Sequence, residues 1–153
     1  MNRPYFPPCE GQPAPLRVQV KRRVRFEEID SLGIVWHGRY PSFFEDARTI
    51  LGDKYSIGYM DFYEHGVLVP IKKMYIDYHH PLRFHEEFSI EGLLHWSDAA
   101  RINFEFIIRD NSGQVTTTGY TVQLMLNKDE NLLIVIPAFY REFCDQWKEG
   151  KFN

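Results

Sequence analysis

Residues 26–48 read FEEIDSLGIVWHGRYPSFFEDAR, and they divide at Gly38. Before Gly38 there is no helical period, and Asp30 stands as a carboxylate in a glycine-containing loop. From there on, Tyr40, Phe43, Phe44, Ala47, Ile50 and Leu51 recur at the spacing of one helix face, and Pro41 is tolerated in a first turn. Gly52 is expected to end this helix. A loop carboxylate therefore leads into the N-terminus of a long amphipathic helix, and the rest of the chain must supply a surface that buries the helix's apolar face.

That surface reads as a sheet. Upstream, Leu16, Val18, Val20, Val24 and Phe26 fall on even positions among basic residues, the period of a half-buried strand; Arg22 interrupts the face and is expected at a bulge. Downstream, Ile57 to His65 predicts a short helix closed by Gly66, followed by strands over 67–80, 87–96, 102–109 and 114–127, each enriched in β-branched or aromatic residues. Asp110-Asn111-Ser112-Gly113 is the clearest hairpin turn, because Asn and Gly tolerate positive φ. Pro137 opens a last helix with an apolar stripe of Phe139, Tyr140, Phe143 and Trp147.

Prolines at positions 4, 7, 8, 13 and 15 make residues 1–15 a leader expected to pack over a single domain at 16–150. This order predicts an α+β fold, an antiparallel sheet wrapped around one long central helix with an extra C-terminal helix. Such a sheet has edges that a second copy would cover, so a homodimer is expected, with a homotetramer equally open.

Composition narrows the function classes. The 153 residues are 44% apolar and 16% aromatic, enough for one compact core. A net charge of -3 gives no global attraction to nucleic acid or an anionic membrane, and neither partner is expected. No apolar run has the length of a membrane span or of a secretory signal, so a cytoplasmic protein is expected. Cys9 and Cys144 sit in unlike contexts and read as free thiols. There is no Gly-x-Ser-x-Gly elbow, Gly-x-x-x-x-Gly-Lys run or Gly-x-Gly-x-x-Gly fingerprint. Asp77, His79, His80 and His85 lie close in sequence, but consecutive strand residues point to opposite faces, and no metal site is expected.

What remains distinctive is Asp30 ahead of the helix. The first N–H groups of a helix lack intrahelical partners and carry partial positive charge, so they can stabilise an oxyanion forming on an attacked carbonyl. An ionised Asp beside them can act as nucleophile or as a base for water. So sparse an apparatus suits a thioester, since a thiol of pKa about 8.5 departs as thiolate without a dedicated acid. The bland alternative is a loop aspartate that merely holds its turn.

The composite of residues 26–40 with Phe43-Phe44-Glu45-Asp46-Ala47-Arg48 resembles the 4-hydroxybenzoyl-CoA thioesterase family of hotdog-fold proteins. Asp30-Ser31-Leu32-Gly33-Ile34-Val35-Trp36-His37, then Tyr40, the aromatic pair and Glu45-x-Ala47-Arg48 match that family's pattern element by element. The resemblance implies a hotdog fold and hydrolysis of an acyl-CoA or acyl carrier protein thioester, with coenzyme A as part of the substrate and no separate cofactor. It implies Asp30 as the catalytic carboxylate, the backbone N–H at His37 as the group polarising the carbonyl, and a site at a dimer interface. Glu45 matches the family's helix carboxylate, although Arg48 one turn on would also form a simple surface pair with it. Gly33, Val35, Trp36, Tyr40 and Arg101 are the candidates for substrate contact, and Lys72, Lys73, Arg83 and Lys128 are further cations for the nucleotide phosphates. Two rival readings are a noncatalytic acyl-CoA-binding hotdog domain and a hotdog dehydratase acting on 3-hydroxyacyl thioesters, for which Asp30 and His37 would serve as the acid and base.

Overall fold

The computed structural model describes residues 3–152. Five strands form one antiparallel sheet in the order β1-β4-β5-β6-β3, with β1 at Leu16–Arg23, β3 at Ile71–Tyr78, β4 at Glu87–His95, β5 at Arg101–Asp110 and β6 at Val115–Leu124. The long helix α1 (Tyr40–Tyr55) lies on its inner face, α2 (Tyr59–Glu64) follows, and α3 (Ala138–Lys148) closes the chain. A separate ladder pairs β2 (Val67–Leu68) with β7 (Leu126–Asn127). This is the predicted α+β arrangement of a sheet around a central helix. No described helix is long and apolar enough to cross a membrane.

Most of the α1 face predicted to be apolar is buried, with Phe43, Phe44, Ala47 and Leu51 each at 0% exposure, but Ile50, expected on that face, is 46% exposed. At roughly 1.5–3 kcal/mol for each large side chain, this face dominates the attachment of helix to sheet. Phe44 stacks on Phe106 of β5 at 4.4 Å and 5°. The contact is so close that a Cβ at Gly119 of β6 would lie 2.8 Å from the Phe44 ring and 2.5 Å from the Tyr75 carbonyl oxygen. Glycine at 119 is what lets sheet and helix meet.

Five other expectations are corrected. Strand β1 ends at Arg23, and Phe26, expected on its half-buried face, sits in a 3-10 turn (Phe26–Glu28) at 77% exposure. The β1–β4 register runs unbroken from Leu16↔Leu94 to Arg23↔Glu87, so Arg22 makes no bulge. Its guanidinium instead turns to the α1 side, donating to Glu28 (2.8 Å) and Asp46 (3.0 Å) and lying 4.9 Å over the Phe43 ring. Helix α1 continues through Gly52 to Tyr55 and stops at Ser56 in the left-handed conformation (φ 57°); Gly52 serves close packing, since a Cβ there would be 2.8 Å from the Gly58 Cα. The strand expected over 67–80 breaks after Leu68, where Pro70 cannot donate to a ladder, and resumes as β3 at Ile71. The strand expected over 114–127 divides likewise at the fully buried Met125.

The leader lies across the outer face of the sheet. Tyr5 packs on Tyr75 and Tyr120, its hydroxyl hydrogen-bonds Thr118 Oγ1 at 2.9 Å, and the Phe6 ring meets His95 and Tyr120. At its other end the Trp147 indole donates to the Ala14 carbonyl at 3.0 Å. Residues 1 and 2 of the leader lie outside the described residues. The hairpin turn forms as predicted: Asp110 Oδ1 accepts from the Ser112 and Gln114 N–H groups, and Gly113 has φ 87°.

Candidate active site

The loop ahead of α1 is tied from both sides. Ile29 bridges Val35, the Asp30 N–H donates to the Ile34 carbonyl (2.9 Å), and the Gly33 N–H donates back to the Asp30 carbonyl (3.0 Å) with Gly33 at φ 75°. A side chain at Gly33 would strain this turn. The Val35 N–H reaches the Leu82 carbonyl and the Trp36 N–H the Glu28 carbonyl, while the buried Glu28 carboxylate holds Arg22 and the Arg25 N–H. Arg22 thereby fastens the loop to β1 and, through Asp46, to α1.

Within this frame, Asp30 Oδ1 accepts the Leu32 N–H at 2.8 Å, and Oδ2 has no protein partner among the described residues. Half the carboxylate fixes the turn and half is free, so the bland role and a chemical one are both available to the same group. The chain then enters a single 3-10 turn, His37–Arg39, before α1. The Arg39 N–H closes that turn on the Trp36 carbonyl, leaving the His37 and Gly38 N–H groups without a hydrogen-bond partner among the described residues. These two form the unpaired positive end expected at a helix head. The Trp36 ring lies so close over Gly38 that a Cβ there would be 2.4 Å from it.

Asp30 and His37 line one open cavity of about 380 Å³ together with Val35, Tyr40, Tyr78 and His79. The Tyr78 hydroxyl donates to the His37 carbonyl at 2.8 Å, and the Tyr78 ring meets Tyr40 edge-on at 5.1 Å, so the end of β3 props the helix head. Burial raises the pKa of both tyrosines, which remain protonated donors at neutral pH. Burial also pushes the Cys144 thiol up to about 12, which removes it as a nucleophile.

Nothing in the sequence pattern singles out Tyr78, whose only signal is an aromatic at a strand end. His79 and His80 also reach this cavity, because both of their N–H groups donate to the Thr116 carbonyl (2.9 and 3.0 Å) where β3 ends, and strict alternation lapses there. The rings still take separate partners, His79 with Thr118 Oγ1 and His80 with Gln114 Nε2. No group of three metal-ligating side chains converges among the described residues.

The other candidates stand elsewhere. Gly33 and Trp36 shape the loop and are not cavity walls. Arg101 is exposed at the start of β5, Lys73 lies over the Tyr120 ring and Lys128 over the Tyr63 ring. Arg83 is the cation whose backbone touches the Asp30 loop, through its bridge to Ile34. Glu45 lies along α1, where Oε1 accepts from Arg48 Nε (3.1 Å) and the Tyr59 hydroxyl (3.4 Å). One chain does not bring Glu45 into the cavity that holds Asp30.

Comparison with known proteins gives a consistent picture. The profile of the thioesterase-like superfamily matches residues 24–144. YneP of Bacillus subtilis (strain 168), provisionally named an acyl-CoA thioesterase, is 26% identical over 124 residues, spanning 81% of this chain and 87% of that one. A protein of Aquifex aeolicus (strain VF5), provisionally named an esterase, is 31% identical over 86 residues, 56% of this chain and 66% of its own. The fold superposes on the DHNA-CoA thioesterase from Staphylococcus aureus with a TM-score of 0.74 at 21% identity, covering 88% of this chain and 95% of that one.

Proposed function

The chain belongs to the thioesterase-like superfamily, and on that premise we propose that it hydrolyses an acyl-CoA thioester to the free acid and coenzyme A at the head of α1. The observation that carries this reading is the shared cavity: the free Oδ2 of Asp30 and the unpaired N–H groups of the His37–Arg39 turn belong to one short, doubly tied segment. The thioester oxygen accepts from the His37 and Gly38 N–H groups, which meet the negative charge that builds as the carbonyl carbon becomes tetrahedral. Asp30 either attacks that carbon, so that the sulfur leaves as thiolate and water then hydrolyses the resulting mixed anhydride to the free acid, or takes the proton of an attacking water as the sulfur leaves as thiolate. The acyl donor is coenzyme A or an acyl carrier protein, and no separate cofactor takes part.

The position of Glu45 is explained by a second copy. β3 is an edge strand whose Ile71, Met74, Tyr75 and Tyr78 are exposed at 38%, 37%, 45% and 47%. Antiparallel pairing of two β3 strands about their middle satisfies both edges and lays the Tyr78 end of one beside the Ile71 end of the other. The Asp30 cavity of one subunit then faces the partner's α1, the helix that carries Glu45. A homodimer is thus the smallest active unit, and a homotetramer built from it keeps the same sites.

Thiol release from a panel of aliphatic and aromatic acyl-CoAs tests the reaction; absence of release with every thioester, or full activity in Asp30→Asn, overturns it. Mixing the inactive Asp30→Asn and Glu45→Gln proteins tests the interface, because a hybrid dimer holds one site with both carboxylates intact. Hydrolysis should return on mixing, and failure to return places both groups in the same subunit's site. A dehydratase is the second reading, favoured by the presence of both Asp30 and His37 on the cavity wall. It requires enoyl product from a 3-hydroxyacyl thioester with no thiol released.

A further inference from the structure

A second cavity, more enclosed than the first, lies between the C-terminal half of α1, α2 and the sheet. It holds about 230 Å³ and is walled by Ile57, Phe62, Val69, Ile102 and Phe104, with Arg48 and Gln123 as its inner polar groups. Arg48 is 5% exposed and Gln123 is 2% exposed. We propose that this cavity selects the acyl end of the substrate, and that it favours an uncharged group of about six to eight carbons carrying one hydrogen-bond acceptor. The proposal rests on the thioester reading above.

Size is the first argument. An apolar cavity of about 150 Å³ holds benzene, so one of about 230 Å³ takes a ring with two or three further heavy atoms, or a chain of similar bulk. Charge is the second. The Arg48 guanidinium is already balanced by Glu45 at 3.1 Å, and Asp53 and Asp61 stand among the cavity's remaining walls. An incoming carboxylate would lose its hydration, meet a cation already paired and pass two acids.

Hydrogen bonding is the third argument. Of the five guanidinium N–H donors, Nε serves Glu45, one on Nη1 serves Gln123 Oε1 (2.5 Å) and one on Nη2 serves Thr121 Oγ1 (2.8 Å). Two have no acceptor among the described residues, on a side chain that lines a mostly apolar cavity. A wholly apolar group would leave them without an acceptor, whereas a hydroxyl, ether or keto oxygen satisfies them at no cost in charge. Position is the fourth: Val69 lies just before β3, so the β3 pairing proposed above would bring this cavity to the side where the partner's Asp30 cavity opens.

Saturation-transfer NMR on the full chain, with benzyl alcohol, toluene and benzoate as probes, tests the cavity without requiring turnover. Benzyl alcohol should bind at least about tenfold more tightly than benzoate, and more tightly than toluene. Thr49→Trp, at an exposed α1 position on the cavity wall, should close it and abolish the benzyl alcohol signal. Equal or tighter binding of benzoate, or an unchanged signal in Thr49→Trp, overturns the proposal. In turnover, kcat/KM should fall from 6-hydroxyhexanoyl-CoA to hexanoyl-CoA to adipoyl-CoA, and adipoyl-CoA ranking first overturns the claimed selectivity. If the probes behave as expected while no thioester is hydrolysed, the thioester reading fails and the neutral-ligand cavity stands.

Discussion

The cavity at Asp30 and the cavity at Arg48 divide reactivity from enclosure. The one at the head of α1 is open and holds a half-free carboxylate beside unpaired backbone N–H groups. The one beside Arg48 is less open and mostly apolar, with its guanidinium tied to Glu45 and Asp61 tied to the Gly58 N–H. They sit on the same helix, eight positions apart from Tyr40 to Arg48, or about 12 Å at 1.5 Å rise per residue. The first is assembled mainly from consecutive residues and the second from α1, α2, the β2–β3 junction, β5 and β6. Bond breaking needs a few groups in fixed relation, which a short tied loop supplies; recognition needs walls, which only the packed fold supplies.

The sharpest way to break this division is to remove the reactive group and leave the walls. Asp30→Asn keeps an oxygen to accept the Leu32 N–H, so the turn should hold, and kcat/KM for acyl-CoA hydrolysis should fall by about 10² to 10⁴. The melting temperature should scarcely move, and binding of benzyl alcohol to the enclosed cavity should be unchanged.

The reverse experiment attacks the walls. Arg48→Met removes a buried guanidinium that joins Glu45 to Thr121 and Gln123 and lies 4.8 Å over the Phe104 ring. Thr121 and Gln123 then stay buried with lost partners, and the fold should lose about 2–4 kcal/mol in urea denaturation. A loss below about 1 kcal/mol would mean that the cluster is not the structural centre of that cavity.

The same division explains which features are legible in the amino-acid sequence. Asp30, the helix from Tyr40 and the Asp110–Gly113 turn can be read there because each depends on residues a few positions apart. The role of the His37 N–H is implied only by the family resemblance, and the structure leaves that group without a partner among the described residues. Arg22 reads wrongly as a bulge because its partners, Glu28 and Asp46, come from a later turn and from a helix. The breaks after Leu68 and at Met125 are set by the separate β2–β7 ladder, which neither strand announces alone. Tyr78 carries no local signal because its hydroxyl meets a carbonyl 41 positions away. The enclosed cavity is invisible in the sequence, since its walls share no motif. The pairing of Glu45 with Arg48 reads as a surface contact, yet it belongs to a buried cluster that spans helix and sheet.

The smallest expected effect lies away from both cavities and bounds what charge on the sheet contributes. Glu91 on β4 is hydrogen-bonded by Arg17 of β1 and Arg109 of β5, the latter at 2.6 Å, across three neighbouring strands. Burial alone would raise its pKa, but the hydrogen bonds and charges of Arg109 and Arg17 outweigh that and hold the carboxyl below its ordinary value of 4.5. A carboxyl depressed by folding contributes stability that is fully present above its unfolded pKa and is lost as pH falls through the folded one. Solvent screens this partly exposed cluster, so the contribution should stay under about 1 kcal/mol. Glu91→Gln should therefore be slightly less stable than the parent chain at neutral pH, and urea titrations should show the gap closing as pH falls below 4.5. A gap that widens towards acid would mean that the carboxylate is destabilised where it sits, and that the guanidinium pair on either side of it does not hold these three strands together.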